Sequence, residues 1–395
     1  MTRRAKANQS KIKYNVDTVV KRYRNTVVNK MSSLENEMYH LNLFKDSPHC
    51  IKVIQPTENG YEMERLSFSL GSPGKMFEEN VRRMLLTIPG EEVLKQLSTI
   101  QNTLSEKGIK HRDINPGNIL FSEKEKLLKL TDFYWAISKN HKVGTPAGLN
   151  GIYGRRDGDA FKRIREEFKI IDSHVRKKVR NTKKFISNRM GQKYYDGSAK
   201  RRGKTYHVID IPYFQNTPYH RKIQQEAKVV LNSVTGKVER VMDVGCSSGY
   251  YLFNLIRNHH IKQAIGYEAD PIMNKVLKNI VKIFLMESLS IENKITKNTV
   301  FPSKIDVTIC MNIHMWLYKQ LGKDSDIVLS NLIKRSRQLF FQTAGLESNG
   351  MFLDKRMKNK EAIKKYLENL GGKKVSFIHT TNMHGGKRHL FKIGE

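Results

Sequence analysis

The stretch from Val238 to Leu252 restricts the fold more than any other part of this chain. An apolar run ends in Asp243-Val244-Gly245-Cys246-Ser247-Ser248-Gly249, and the residues after it reopen as a helix. Two glycines four positions apart let the backbone pass close to a ligand, and the first helical turn presents free N–H groups. Alone, such a turn is weak evidence. The next apolar run, Ala264-Ile265-Gly266-Tyr267, ends in Glu268 about twenty residues later, where a carboxylate accepts both ribose hydroxyls of a nucleoside cofactor.

Later segments extend the same pattern. Asp306 to Met311 reads as a buried strand that leads into Asn312-Ile313-His314-Met315-Trp316, and Gln338 to Gln342 reads as the next. Lys374 to Ile378 and His389 to Ile393 fit an antiparallel pair at a sheet edge. The Asp243-x-Gly245-x-x-x-Gly249 form resembles class I S-adenosylmethionine (SAM)-dependent methyltransferases more than NAD enzymes, which usually carry GxGxxG. The resemblance implies an α/β Rossmann-like domain in which Asp243, Gly245 and Gly249 surround the amino-acid part of SAM and Glu268 holds its ribose. Residues after the fourth strand line the transfer site in that family. His314 is then a candidate base or acceptor-orienting group, with a packed wall residue as the alternative.

A second constellation lies upstream. Ile109 to Phe121 contains His111-Arg112-Asp113-Ile114-Asn115-Pro116-Gly117-Asn118, followed by Leu128-Lys129-Leu130-Thr131-Asp132-Phe133-Tyr134. A carboxylate at an acceptor hydroxyl orients it and takes its proton, and a carboxamide five residues on can reach a metal that neutralises phosphates. These motifs resemble the catalytic loop and Asp-Phe-Gly segment of the protein-kinase-like superfamily, nearest in feel to kinases of small molecules, glycans and lipids. The resemblance implies an α+β bilobal domain that binds ATP and Mg2+. Asp113 would be its catalytic carboxylate, and Asn118 and Asp132 its metal ligands. Lys21, on the apolar run Val19 to Tyr23, would hold the α/β-phosphates and pair with Glu37, with Glu35 as the competing partner. Ile51 to Ile54 would be the following strand, Tyr61 to Glu64 the hinge that meets adenine, and Asp157 an anchor for the catalytic loop.

The chain departs from that family in two places. The 20 residues before Lys21 contain no glycine, so a Gly-rich phosphate cover is expected to be missing or much reduced. Tyr134 stands where the family has glycine, so the usual in/out switching of that segment need not operate.

Length fits two domains: a reduced kinase-like domain over 1–175 and a methyltransferase domain over 206–395, joined by a basic linker over 176–205. Phe161 to Arg180 has helical character, and the stretch with Gly191, Gly197 and Gly203 reads as a loop. No apolar run approaches the ~20 residues of a membrane span, and no signal core is visible, which points to a cytoplasmic protein. Cys50, Cys246 and Cys310 form no CxxC pair, which argues against disulfides and structural zinc.

The net charge of +33 implies a polyanionic or phosphorylated acceptor. Cations cluster at Arg176-Lys177-Lys178, Lys183-Lys184 and Lys200-Arg201-Arg202, interleaved with Phe185, Tyr194 and Tyr195. They could grip a phosphate backbone, be solvated, or attach peripherally to an acidic membrane leaflet. With Arg221 and Lys222, the 200–204 cluster could orient an oxyanion. The expected function is therefore bifunctional: ATP-dependent phosphorylation of a hydroxyl on a glycan or small molecule, and SAM-dependent methyl transfer, to the same acceptor or to another. The domain types are similar to those of kinase–methyltransferases that cap bacterial O-antigens, where the methyltransferase comes first. An RNA-modifying methyltransferase with a kinase-like accessory domain is the alternative, although no RRM or KH pattern is visible. A pseudokinase scaffold is a third reading.

Overall fold

The computed structural model describes residues 10–15, 17–23, 33–141, 153–154, 156–193, 209–214, 225–344, 354–383 and 386–395. The chain divides into two units, Met1–Arg176 and Lys177–Glu395.

In the first unit β1 (Ser10–Tyr14), β2 (Thr18–Tyr23), β3 (Val53–Thr57) and β4 (Gly60–Glu64) make an antiparallel sheet in the order β1-β2-β4-β3. The β-branched residues of β2 favour the pleat, and its Val19, Val20 and Lys21 are buried. Helix α1 (Ser33–Phe44) follows it in sequence and carries Glu37. The segment expected as a hinge, Tyr61 to Glu64, is instead part of β4. It pairs with β2 so that Tyr61 lies opposite Lys21, and the Tyr61 ring is fully buried. The link onward to β5 (Phe68–Ser69) runs through Arg65, Leu66 and Ser67. The strand expected over Ile51 to Ile54 begins two residues later, at Val53, because Cys50 is taken up in a bridge to Leu130.

Short strands β6 (Gly71–Ser72) and β7 (Lys75–Met76) lead to α2 (Glu78–Leu85) and α3 (Gly90–Glu106). Val93, Leu97, Ile100 and Leu104 form the buried stripe of α3, at the spacing of one helical face. The hairpin of β8 (Ile119–Ser122) and β9 (Leu127–Leu130) joins the two phosphotransfer motifs. Helix α4 (Asp157–Lys193) starts at Asp157. It does not stop near Arg180: buried Asp172, Val175, Val179, Thr182 and Ile186 continue a three-and-four spacing through the basic stretch. Tyr194, Tyr195, Gly197, Gly203, Arg221, Lys222 and the 200–204 cluster lie outside the described residues.

The second unit is built on seven strands. They are β10 (Arg240–Val244), β11 (Gln263–Tyr267), β12 (Leu289–Glu292), β13 (Ile305–Met311), β14 (Ser336–Ala344), β15 (Val375–Met383) and β16 (Gly386–Gly394). Their order is β12-β11-β10-β13-β14-β16-β15. The first five are parallel, and β16 enters antiparallel between β14 and β15. The helices are α5 (Gln225–Asn232), α6 (Tyr250–Asn258), α7 (Pro271–Ile283), α8 (His314–Leu321), α9 (Ser325–Arg335) and α10 (Lys360–Gly371). A core of Val244, Ile265, Leu332, Phe341 and Phe391 lies under them. Burying each such side chain contributes ~1.5–3 kcal/mol. The strand order reverses between β10 and β13, which opens a crevice at their carboxyl ends.

Candidate active sites

In the first unit three ionisable residues from distant parts of the chain meet. Lys21 Nζ on β2 donates to Glu37 Oε1 and Oε2 at 3.0 and 2.8 Å and to Asp132 Oδ1 at 2.7 Å. Tyr61 Oη donates to Glu37 Oε1 at 2.9 Å. Glu37, not the exposed Glu35, is the residue that reaches the lysine. Burial opposes the charge on Lys21, but the two carboxylates outweigh it and hold its pKa well above the usual value. Burial likewise opposes ionisation of Asp132, yet Lys21 keeps that carboxyl below its ordinary range. A cationic lysine and an ionised aspartate therefore stand side by side.

The second half of this site is a clamp on Asp113. Asn115 Nδ2 donates to Asp113 Oδ1 at 3.0 Å, and Asn118 Nδ2 donates to Asp113 Oδ2 at 3.0 Å. Pro116 to Asn118 form a single 3-10 turn, which brings the second carboxamide back over the aspartate. Burial raises the Asp113 pKa, with nearby Asp132 adding to the effect and the asparagines opposing it. The loop is held from below: Asp157, at the start of α4, accepts the backbone N–H groups of His111 at 2.6 Å and Arg112 at 2.9 Å. Thr131 N donates to the Asn118 carbonyl at 3.0 Å, so Asn118 and Asp132 stand at the same end of the β8–β9 hairpin. A carboxamide oxygen and an ionised carboxylate are hard donors that suit Mg2+ shared with substrate phosphates. Among the described residues no group of three or more His, Cys, Asp or Glu could hold a metal by itself.

Sequence reasoning missed the device that sets Asp132. Asp132 adopts φ +64°, and the next three residues form a 3-10 turn. Asn36, buried beside Glu37 on α1, donates to the carbonyls of Tyr134 at 2.8 Å and Ala136 at 3.1 Å. The Tyr134 ring lies parallel to Tyr23 with centroids 6.2 Å apart, while Phe133 packs on Phe44 and His111. One helix thus fixes both Glu37 and the segment after Asp132. Lys21→Met, which leaves the Glu37 carboxylate buried without its cation, is expected to cost the first unit about 3–5 kcal/mol. Urea unfolding checks this, and Lys21→Met/Glu37→Gln should recover part of the loss.

In the second unit Asp243, Gly245, Ser247, Glu268, Asn312 and Trp316 are among the residues around a cavity of about 270 Å³ at the carboxyl ends of β10, β11 and β13. Gly245 has φ +75°, and a Cβ there would stand 2.7 Å from Ile313 Cδ1. Glu268 accepts the backbone N–H of Ser247 and of Asp270, both at 2.7 Å, which leaves each oxygen lone pairs toward the cavity. Asp243 is 2% exposed, and its Oδ2 has no hydrogen-bond partner among the described residues. Burial, with Glu268 nearby, drives its pKa well above the usual value. Such an orphaned carboxylate suits a cationic ammonium, and Glu268 suits a pair of hydroxyls.

Two expected residues sit elsewhere. Gly249 is not part of the cavity lining. With φ +74° it starts α6, and a Cβ there would lie 2.7 Å from Phe253 and 2.9 Å from Leu277, so it lets α6 pack against α7. His314 does not line the cavity either. Its ring is 2% exposed among Tyr318, Phe341 and Tyr366, and burial lowers its pKa to about 4. The unfolded histidine titrates near 6.5, so folding loses stability as pH falls from there toward 4, by up to about 3 kcal/mol. His314→Gln should remove that acid sensitivity in urea unfolding compared at neutral pH and near pH 5.

Asn312, in the stretch after the fourth strand, and Lys294, which carried no motif, line the cavity. Asn312 has φ +58° and donates to Gln342 Oε1 at 2.6 Å. Asn312 lies in the stretch after β13 expected to line the transfer site, and the pairing of β13 with β14 fixes it there through Gln342.

No family model matches this chain. Calcium-dependent protein kinase 3 of Plasmodium yoelii yoelii is 32% identical over 111 residues, 26% of this chain and 20% of that protein. The tRNA U34 carboxymethyltransferase of Helicobacter pylori (strain Shi470) is 28% identical over 121 residues, 27% of this chain and 45% of that protein. The chain therefore spans a fifth to under a half of these relatives. Among solved structures, the bifunctional kinase-methyltransferase WbdD is similar at 13% identity and TM-score 0.38, over 44% of this chain and 40% of that one. The N-terminal domain of EvdMO1 with SAH bound is similar at 13% identity and TM-score 0.37, over 46% of this chain and 88% of that one. Similarity thus runs to kinases and to methyltransferases.

Proposed function

We propose that this chain is a two-activity transferase, with ATP-dependent phosphorylation of a hydroxyl in the first unit and SAM-dependent methyl transfer in the second. The observation that carries the reading is the assembly around Lys21, Asp132 and Asp113, where the lysine and both aspartates are each held by a named partner.

In the first site Lys21 would hold the α/β-phosphates of ATP, and its pairing with Glu37 fixes where its ammonium stands. Asn118 and Asp132 would hold Mg2+, which supplies charge neutralisation on the phosphates when bound. Asp113 accepts the hydroxyl proton, and its raised pKa brings it closer to that task at neutral pH. Asn115 and Asn118 keep both oxygens of that carboxylate in place.

In the second site Asp243 would meet the ammonium of SAM and Glu268 its ribose hydroxyls. SAM supplies an activated methyl group when bound. Asn312 and Trp316 belong to the part of the wall where an acceptor would enter. His314, buried and neutral, supports that wall and is not assigned the proton transfer.

The test is a mixture of candidate glycan, small-molecule and RNA acceptors with γ-labelled ATP and methyl-labelled SAM. Phosphate label without methyl label, or the reverse, removes one activity from the proposal. Methylation that requires ATP means that the two reactions act in sequence on one acceptor. An RNA-modifying methyltransferase with a kinase-like accessory unit is the second reading. It is favoured by the 121-residue similarity to an enzyme named for its action on tRNA.

A further inference from the structure

We infer that the face formed by α7 and the carboxyl-terminal half of α4 binds single-stranded nucleic acid and leads it to the methyl-donor cavity of the second unit. This rests on the donor reading of that cavity and adds its acceptor class.

The charge on α7 and on α4 beyond Arg176 is of one sign. From Lys177 to Lys193 there are seven Lys or Arg residues and no carboxylate, and α7 contains Lys275, Lys278 and Lys282 with no carboxylate. Lys177, Lys178, Arg180, Lys184, Lys275, Lys278 and Lys282 are exposed, and none forms a salt bridge among the described residues. Cations scattered for solubility are usually interleaved with acids, as on α10, where Lys364 faces Glu368. Here the acids are missing from α7 and from α4 beyond Arg176.

Tertiary contacts bring the two runs together. Lys275 Nζ stands 5.0 Å from the centre of the Phe185 ring on α4. Lys183 Nζ lies 6.0 Å from the Phe214 ring, and neighbouring Tyr213 packs at 6.3 Å from Phe284 at the end of α7. Lys178 and Phe185, seven residues apart, share one face of α4. Lys275, Lys278 and Lys282 share the exposed face of α7, rising about 4.5 and 6 Å in turn.

The face also leads somewhere. Asp270 caps α7 and directly follows Glu268 and Ala269, which line the cavity, and Lys294 lines the same cavity. A row of cations that starts one turn inside α7, seven residues after Glu268, can track a phosphate backbone, while half-buried Phe185 offers a ring to a base. An acidic glycan is favoured less, because neither α7 nor α4 beyond Arg176 has a carboxylate with which to hold sugar hydroxyls.

The experiment uses the full chain and a fluorescein-labelled single-stranded RNA of roughly 20 nucleotides, with anisotropy read between about 50 and about 200 mM salt. The wild-type chain should bind, and its affinity should fall steeply with salt. Lys275→Glu/Lys278→Glu/Lys282→Glu should weaken binding at least ~10-fold and lower the salt slope by about 2, since each lost phosphate contact on a single strand removes roughly 0.7. The Lys→Gln triple variant gives the same readout if the Glu triple variant does not fold. SAM binding by calorimetry is measured on the same samples. RNA binding that is absent, that equals wild type in the Gln variant, or that is displaced by a sulfated glycan of matched charge density at lower concentration than by unlabelled RNA overturns the inference. Wild-type chain that binds RNA but not SAM leaves the face standing and overturns the donor reading instead.

Discussion

Asp113→Ala is expected to lower phosphoryl transfer from ATP by about 10²–10⁴-fold, the range of a positioned general base, while leaving SAM binding unchanged. Asp113 sits in a clamp that holds each carboxylate oxygen by a separate carboxamide, and burial raises its pKa. Alanine removes the proton acceptor but leaves Asn115 bonded to Gly117 N and Asp157 bonded to the loop backbone, so the turn keeps its supports. The measurement is transfer of γ-labelled phosphate, alongside thermal unfolding of both proteins. Unaltered transfer in a folded Asp113→Ala protein would remove Asp113 from the chemistry and favour the scaffold reading of the first unit.

Asp243→Asn should move two measurements in opposite directions. In the ligand-free protein the Asp243 carboxyl is buried, lacks a partner on Oδ2 and faces the charge of Glu268. Its folded pKa lies above the unfolded value, so its cost is absent below the usual carboxylate range and grows as pH rises toward the folded pKa. Replacing it with a neutral carboxamide should raise the ligand-free Tm at neutral pH, by about 2–4 °C for each kcal/mol relieved. The donor's ammonium would meanwhile lose a charged partner worth about 1.5–3 kcal/mol, roughly 10- to 150-fold in Kd. Scanning calorimetry and SAM titration test both halves. A variant that binds SAM as tightly as wild type would place the donor's ammonium elsewhere.

The two motifs were legible in the sequence because their chemistry is local. Asp113 and Asn118 lie on one short loop, and Asp243 to Gly249 lie on one strand-to-helix junction, so spacing alone brings them together. Glu37 could not be separated from Glu35 by spacing, because both belong to the same helix and only the direction of α1 relative to β2 decides which one faces Lys21. The hinge was misplaced for a related reason. Tyr61 to Glu64 has apolar and polar residues that fit several roles, and its pairing with β2 is a long-range fact. The basic run after Arg176 is helix because a sparse buried stripe outweighs its charge, a pattern recognisable only once burial is known.

What the sequence by itself determined is the chemistry available: a carboxylate and carboxamide for phosphoryl transfer, a glycine turn with a distant acid for a nucleoside-bearing donor, and an excess of cations. What only the tertiary structure decided is which of those groups meet. Lys21 bridging Glu37 and Asp132, Asn36 holding the segment after Asp132, Asn312 entering the cavity wall, and His314 and Gly249 left outside it all depend on pairings across tens to hundreds of residues. The physical reason is that hydrogen bonds and desolvation act over a few ångströms, while sequence patterns report only neighbours one or two turns away.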